Sequence, residues 1–456
     1  MRIVVVGGGI SGLAAARRLE AIDPGTEIVV IEREDALGGK LRTEHVAGFV
    51  VEAAPDSFLA RKPRGVGLCD DLGLSDELIA RRPENHGSFV RRGHELLPLP
   101  EGLTGMIPTN LDALDESALL SGAGRARFRE EPDVPALESD EDESIGSFVS
   151  RRFGREAYEA LMEPLVTGIY GGDGDRLSLA ATFPQLRAVE RASGSVLRGL
   201  SARPGGGEPT APFLSLRSGM ETLVEALVRS FRRTRIERAR ATRIRTTSSG
   251  FDVELDGGAL EADGVVVATP AHVTAELLAE LDPVLADEHT AIPYGSSVVV
   301  TLAFDSRELP VLEGYGYVVP RIEGTDALAC TWSSEKWEGR APDGAALARV
   351  YLGRFGGRDL LRADNAELIS VARDELRMVG VEATPTLTRV HRWPLAMPQY
   401  VLGHLERVAR IEDALGRHPG LELAGAAYRG VGIPDCIASG EAAAESVVRS
   451  LAAAPA

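Results

Sequence analysis

The chain opens on a short apolar run, Ile3-Val4-Val5-Val6, which stops at three consecutive glycines, Gly7-Gly8-Gly9. So short a run bounded by glycine predicts a strand covered on both faces. Residues 10–21 then carry apolar side chains at helical spacing, and 27–31 repeat the β-branched pattern, so strand, tight turn, helix and strand form one βαβ unit. From about residue 100 to 200 the pattern turns helical, with Ser144-Ile145-Gly146-Ser147-Phe148-Val149 opening a stretch that runs to Tyr170. Strand patterns return at 250–255 and 263–269, which suggests sheet continuing well after the first unit. They return again at 296–304, 315–319, 328–332 and 348–352, with the alternation of a half-buried antiparallel sheet. The acidic run from Glu130 to Glu143 and the segment Arg203-Pro204-Gly205-Gly206-Gly207-Glu208-Pro209 predict surface loops. An alanine-rich helix is expected at 434–451, and no internal repeat is found.

Composition narrows the class of protein. With 456 residues, 44% hydrophobic and 26% charged, the chain reads as globular, with two or three domains. Its 68 acidic residues against 50 basic ones give a charge of −18, which argues against nucleic acid as a partner and against strongly anionic membranes. Cys69, Cys330 and Cys436 lie far apart without zinc-type spacing, so neither a disulfide framework nor a metal site is signalled, and a cytoplasmic location is expected. The opening run is too short for a secretory signal, and no stretch reaches the roughly 20 apolar residues of a membrane-spanning helix. The apolar residues between Leu96 and Ile107 are the candidate for weak peripheral contact with lipid, with core packing as an equal alternative.

Gly7-Gly8-Gly9-Ile10-Ser11-Gly12 has the G-x-G-x-x-G spacing between a predicted strand and a predicted helix, the arrangement that holds a dinucleotide. Gly7 permits the tight turn, Gly9 lets N–H groups approach a pyrophosphate, and Gly12 lets the helix lie close to the sheet. Ile10 and Ser11 open that helix, whose N-terminus carries about half an elementary charge. Glu32 stands 20 residues beyond Gly12 at the end of the second strand, where a carboxylate can accept ribose hydroxyls; Arg33 follows it. These residues alone leave FAD and NAD both open.

Gly38-Gly39-Lys40-Leu41-Arg42-Thr43 resembles the G-G-[KR]-x-x-[ST] stretch of the FAD-containing oxidases of the amine oxidase and protoporphyrinogen oxidase type. The resemblance implies FAD as cofactor, with Gly39, Lys40 and Arg42 along its pyrophosphate and ribityl region. Ser218-Gly219-Met220-Glu221-Thr222-Leu223 resembles a turn of that family, and Arg243-Ile244 resembles the strand whose backbone meets adenine. Gly425-Ala426-Ala427 and Gly430-Val431-Gly432-Ile433-Pro434-Asp435 resemble the C-terminal flavin loop, which implies that Gly425, Val431, Ile433 and Pro434 border the flavin N1/C2=O edge.

Further segments resemble the porphyrinogen oxidases, and the bacterial coproporphyrinogen oxidase branch in particular. They are Pro55-Asp56-Ser57-Phe58-Leu59-Ala60-Arg61-Lys62, residues 164–173, Cys330-Thr331-Trp332, Arg392-Trp393 through Met397-Pro398-Gln399-Tyr400, and residues 432–437. By resemblance Ala54, Pro55, Asp56, Ser57 and Trp393 lie beside the flavin. Thr167, Gly168, Ile169 and Tyr170 form a pocket wall, and Arg61 and Lys62 meet substrate propionates. Relatives often carry glycine before the proline where this chain has Glu52-Ala53-Ala54-Pro55; alanine disfavours positive φ, so a reshaped backbone is expected there.

The fold implied is α/β: a discontinuous Rossmann-like FAD-binding domain (1–56, 216–290, 395–456), an antiparallel-sheet substrate domain (57–100, 203–215, 291–394) and a membrane-facing helical insertion (101–202). The activity implied is the six-electron oxidation of coproporphyrinogen III by O₂ in haem biosynthesis. Hydride passes to flavin N5 without a protein acid or base, consistent with eight unclustered histidines. Protoporphyrinogen IX, with two propionates exchanged for vinyls, is the nearest alternative substrate; amine oxidases and carotenoid desaturases use the same flavin fold. A flavin-dependent tetrapyrrole-binding protein is the non-enzymatic alternative. Transient contact with other haem-pathway enzymes is expected, and monomer and dimer both stay open.

Overall fold

The structure, a computed structural model, describes residues 1–453 except 86, 105 and 203–211, so the expected loop at 203–209 lies outside the described residues. Its first strand, Arg2–Val6, sits in the middle of a five-stranded parallel sheet. Across that sheet the order is Arg235–Arg238, Glu27–Glu32, Arg2–Val6, Gly264–Val267 and Leu421–Leu423, so residues far apart in sequence share one sheet. Ile3 and Val5 pack against the helices on one face, while Val4 and Val6 join Val29, Ile31 and Leu277 on the other. Both faces are therefore covered, as the unbroken apolar run predicts, and full burial of each such side chain contributes about 1.5–3 kcal/mol.

Helix Ile10–Ile22 follows the glycine turn, and the last helix, Ile433–Ala453, lies directly against it. Small residues make this approach achievable. A Cβ on Gly440 would stand 2.0 Å from the Ser11 carbonyl oxygen, and one on Gly12 would stand 1.9 Å from that of Gly7.

A seven-stranded sheet forms the second layer, in the order Leu387–Pro398, Tyr294–Asp305, Ala345–Leu352, Ala327–Trp332, Gly316–Val318, Phe89–Arg92 and Glu95–Pro98. Its pairs are antiparallel except that Gly316–Val318 runs parallel to Phe89–Arg92. Val298, Val300, Leu302 and Phe304 turn one face toward Leu368, Ala372 and Leu376. By the period-two alternation, Val299, Thr301, Arg349 and Tyr351 occupy the opposite face.

Three expectations need correction. The pattern at 250–255 does not extend the parallel sheet: Phe251–Leu255 is the centre of a separate antiparallel sheet with Ala241–Thr246 and Gly258–Ala262, where Phe251 and Val253 are buried and the intervening acids are partly exposed. The acidic run at 130–143 is not all surface. Glu131 is fully buried, accepting hydrogen bonds from Arg152, from the Val196 and Leu197 amides at 2.8 and 3.1 Å, and from the Ser195 hydroxyl at 2.5 Å. A carboxylate at a helix N-terminus beside a guanidinium is compensated twice, which is how a charge survives in this interior.

Finally, the apolar run near Leu96 turns inward: Met106 and Ile107 are buried in the core of the helical insertion, and Leu97 and Leu99 pack against that core. Among the described residues, no helix is long and apolar enough to cross a membrane.

Gly440→Val should overpack the contact between the first and last helices and lower the unfolding free energy by about 1–3 kcal/mol, measured as the denaturant midpoint.

Candidate functional site

Two glycine segments meet at the mouth of the parallel sheet. Gly7 adopts φ +111°, and a Cβ there would sit 2.7 Å from the Ala268 carbonyl oxygen. Gly9 forms a β-bridge with Gly38, whose N–H donates to the Gly8 carbonyl at 2.8 Å. A Cβ on Gly9 itself would meet nothing within 4 Å, so open space lies over the loop at the start of the Ile10-Ser11 helix turn. That space is the cradle a phosphate group would fill.

Glu32 stands at its rim, accepting the Gly8 N–H at 2.7 Å and the Glu34 N–H at 2.9 Å. Arg33 beside it is exposed and pairs with Glu34 at 3.3 Å. The strand end next to Glu32 belongs to Arg235–Arg238, and the Ala239 N–H donates to the Glu32 carbonyl at 3.1 Å. Arg243 and Ile244 are not brought to this rim: Ile244 is buried in the core behind the sheet, and Arg243 is held by Glu254 and Glu280.

Lys40 enters the same cleft from the Gly38-Gly39 segment. Burial lowers its pKa, and no side chain or carbonyl among the described residues accepts from its ammonium. A half-buried ammonium without an acceptor is free to donate, so the donor set fits a bound phosphate or an electron-rich ring. His272 was not singled out by sequence. Its Nδ1 is buried without a partner, and burial, with Arg33 and Lys40 adding to it, lowers its pKa.

Residues 53–57 cross the cleft next. The Ala53 N–H donates to the Arg42 carbonyl at 2.9 Å, Arg42 Nε donates to the Gly39 carbonyl at 3.0 Å, and the Arg42 guanidinium lies 5.8 Å from the centre of the Trp393 ring. Trp393 Nε1 donates to the Ala53 carbonyl at 2.8 Å, and Arg349 donates to that of Ala54. Neither Ala53 nor Ala54 has positive φ, so the segment carries no left-handed backbone strain.

Asp56, 7% exposed, accepts from Lys336 at 3.1 Å, from Trp337 Nε1 at 3.2 Å and from Ser57 at 2.7 Å, with Arg349 3.5 Å away. Burial alone would raise its carboxyl; Lys336, Arg349 and the Ser57 hydroxyl overcome that and hold it well below the usual carboxylate range. Sequence reasoning found Asp56 but not Lys336 or Arg349, which carry no motif and lie far along the chain, on the short helix Ser333–Lys336 and the strand Ala345–Leu352.

The C-terminal loop closes the site. Gly425 takes φ +121° and donates to Ser439 at 3.0 Å. Tyr400 holds both arms of the loop, donating to the Ala426 carbonyl at 2.7 Å and accepting from the Gly430 N–H at 2.8 Å. Ile433 and Pro434 are buried at the helix start, while Val431 packs on the helical insertion. Lys62 does not stand free for substrate: Asp435 takes its ammonium at 2.5 Å, and the same carboxylate accepts the Gly432 N–H at 3.2 Å. Arg61 is exposed and has no acidic partner among the described residues.

Helix Glu163–Tyr170 is tied to this loop. Thr167 donates to Glu163 at 2.6 Å inside the helix, and Gly171, at φ +59°, ends it by donating to the Thr167 carbonyl. Gln399 Nε2 donates to the Tyr170 carbonyl at 3.0 Å, and the Tyr170 ring lies 6.5 Å from that of Tyr400, so helix and loop are held in one piece. Gly168 and Ile169 face outward, Ile169 being 48% exposed. No group of residues arranged for a metal ion is found among the described residues.

Residues 10–448 match the family model of flavin-containing amine oxidoreductases. The chain belongs to this family. Membership brings a flavin cofactor and oxidoreductase chemistry to the cleft. As a flavin-containing oxidoreductase it is 34% identical to a coproporphyrinogen III oxidase of Bacillus subtilis, over 98% of both chains. It is 31% identical to one of Staphylococcus aureus, over 98% of this chain and 99% of that one. A crystal structure from an Exiguobacterium species, described as a candidate protoporphyrinogen oxidase, superposes with a TM-score of 0.89 at 32% identity over 98% of each chain.

Asp56→Asn removes the counter-charge of Lys336 and Arg349, and should lower the unfolding free energy by about 3–5 kcal/mol. The depressed native pKa makes the carboxylate's contribution complete above its unfolded value of about 3.9 and lost as pH falls through the native one. Acid titration of stability should therefore be steeper for the parent than for Asp56→Asn.

Proposed function

We propose that the protein is an FAD-dependent oxidase that converts coproporphyrinogen III to coproporphyrin III, with O₂ as acceptor and H₂O₂ as the reduced product. The observation that carries this reading is identity of 34% to a curated coproporphyrinogen III oxidase over 98% of both chains, on a cleft whose one unanswered ammonium is the kind a flavin nucleotide satisfies. When bound, a flavin would supply the hydride acceptor for a methylene bridge of the porphyrinogen and O₂ would take the electrons; the six hydrogens would leave as three hydrides and three protons, the protons going to water.

The glycine loop offers N–H groups to the FAD pyrophosphate, Glu32 offers its carboxylate to the ribose, and Lys40 neutralises negative charge in between. Ala239 and Arg238, at the strand end beside Glu32, take the adenine side in place of Arg243 and Ile244. The start of the last helix, at Ile433 and Pro434, directs its positive end at the edge where charge accumulates on reduction.

Thr167 spends its hydroxyl on Glu163, and Gly168 and Ile169 present backbone and an alkyl side chain, so this wall orients a tetrapyrrole and excludes water without exchanging protons with it. Arg61, exposed and without an acid of its own, is the cation for a substrate propionate. Lys62 serves instead to brace the Gly430-to-Gly432 turn through Asp435.

Purified protein should be yellow and should turn coproporphyrinogen III fluorescent while consuming O₂. In competition, coproporphyrinogen III should be oxidised ahead of protoporphyrinogen IX; equal or reversed preference would overturn the substrate assignment. Lys40→Met should weaken FAD retention about tenfold or more, since a hydrogen bond to a charged group contributes roughly 1.5–3 kcal/mol; titration of apoprotein with FAD, followed by flavin fluorescence, reads this directly.

A further inference from the structure

Arg349 is 1% exposed and belongs to strand Ala345–Leu352 of the seven-stranded sheet, yet its contacts reach the segment that flanks the cleft on the other layer. Its Nη2 donates to the Ala54 carbonyl, and its Nη1 lies 3.5 Å from Asp56. Trp393, two strands away in the same sheet, donates to the preceding carbonyl, that of Ala53. Two consecutive carbonyls are thus drawn toward one sheet. In a planar trans peptide the N–H points opposite to the C=O, so the amide joining Ala53 to Ala54 turns its N–H away from that sheet, and no acceptor meets it among the described residues. Pro55 has no N–H to offer, which leaves the Ala54 N–H as the donor this clamp presents.

The charges point the same way. Lys336, Arg349 and Arg340 face the two carboxylates of Asp56 and Glu52, so cations outnumber acids in the cluster, and a guanidinium stays ionised throughout. Arg349 Nε and Nη1 have no hydrogen-bond acceptor of their own. A surplus of buried positive charge next to an oriented N–H favours an electron-rich ring over an electron-poor one.

We propose that Arg349 is a positioning residue for the flavin: through the Ala53 to Asp56 segment it aims the Ala54 N–H into the cleft and makes the bound ring easier to reduce. The inference rests on the flavin-dependent reading above and concerns how the substrate-side sheet sets the cofactor's redox poise. Arg349 pairs in register with Thr301 and Thr331 and stacks 5.2 Å from Tyr351, so the residue that tunes the ring is also built into the face opposite the hydrophobic core of that sheet.

The test uses full-length, flavin-loaded protein and three variants, Arg349→Met, Arg349→Lys and Trp393→Phe. The readouts are the flavin midpoint potential by dye equilibration, the visible absorption spectrum and the rate of anaerobic reduction by coproporphyrinogen III. Arg349→Met should shift the reduction equilibrium at least tenfold against reduction, about 30 mV for a two-electron couple, and slow anaerobic reduction by a similar factor. Arg349→Lys, which keeps the charge, should stay within about threefold of the parent, and Trp393→Phe should shift in the same direction as Arg349→Met by a smaller factor.

Yellow Arg349→Met protein with the parent's potential and spectrum would overturn the proposal, as would Arg349→Lys shifted as far as Arg349→Met. If Arg349→Met does not fold, Trp393→Phe decides, and an unshifted potential there is equally fatal. A colourless parent would instead overturn the flavin reading itself.

Discussion

Backbone lies against backbone at the mouth of the parallel sheet, and the rest of the molecule is arranged around that steric constraint. The Gly12 and Gly440 positions leave about 2 Å for a side chain that therefore cannot exist, which brings the Gly7 turn, the first helix and the last helix into a single block. Once those three are fixed, the bridge from Gly9 to Gly38 fixes the approach of Lys40, and the loop from Gly425 to Asp435 follows from the last helix. The cleft is thus defined by segments from both ends of the chain, held by packing in which an added side chain forces the backbones apart.

The second layer contributes differently. It reaches the cleft through polar side chains: Trp393, Arg349, Lys336 and Trp337 all terminate on residues 53–56. Removing four polar groups from water would be unfavourable if each lacked a partner, and the hydrogen bonds they make to two carbonyls and one carboxylate offset that cost. A joint made in this way is directional, so it specifies how one layer faces the other more sharply than an apolar contact would.

The parallel sheet, its glycine turn and the last helix were legible in the sequence because each rests on local pattern: Ile3 to Val6 as an unbroken apolar run, Gly7 to Gly12 at fixed spacing, and the alanines after Pro434. Among residues carried over by resemblance, Arg42 and Trp393 do meet in the structure, and Trp393 is tied to Ala53. What stayed hidden depends on pairing across the chain. Arg349 and Lys336 acquire meaning only when Asp56 is placed between them, some 280 residues from either by sequence. Glu131 looked like one more charge in an acidic run until Arg152 and the helix at Val196–Ser201 were seen to enclose it. Lys62 resembled a substrate cation because its partner, Asp435, lies at the far end of the chain.

The parallel sheet also has a temporal side. Strand Gly264–Val267 has Arg2–Val6 as one neighbour but takes its other from Leu421–Leu423, which a ribosome delivers roughly 150 residues later. At about 5–20 residues per second that interval lasts on the order of 10 seconds, during which a row of unpaired amides and carbonyls flanked by Val265, Val266 and Val267 is open to any nascent neighbour. The helical insertion, built from contacts close in sequence, has no such wait, so assembly of this protein in the cell is paced by its last short strand.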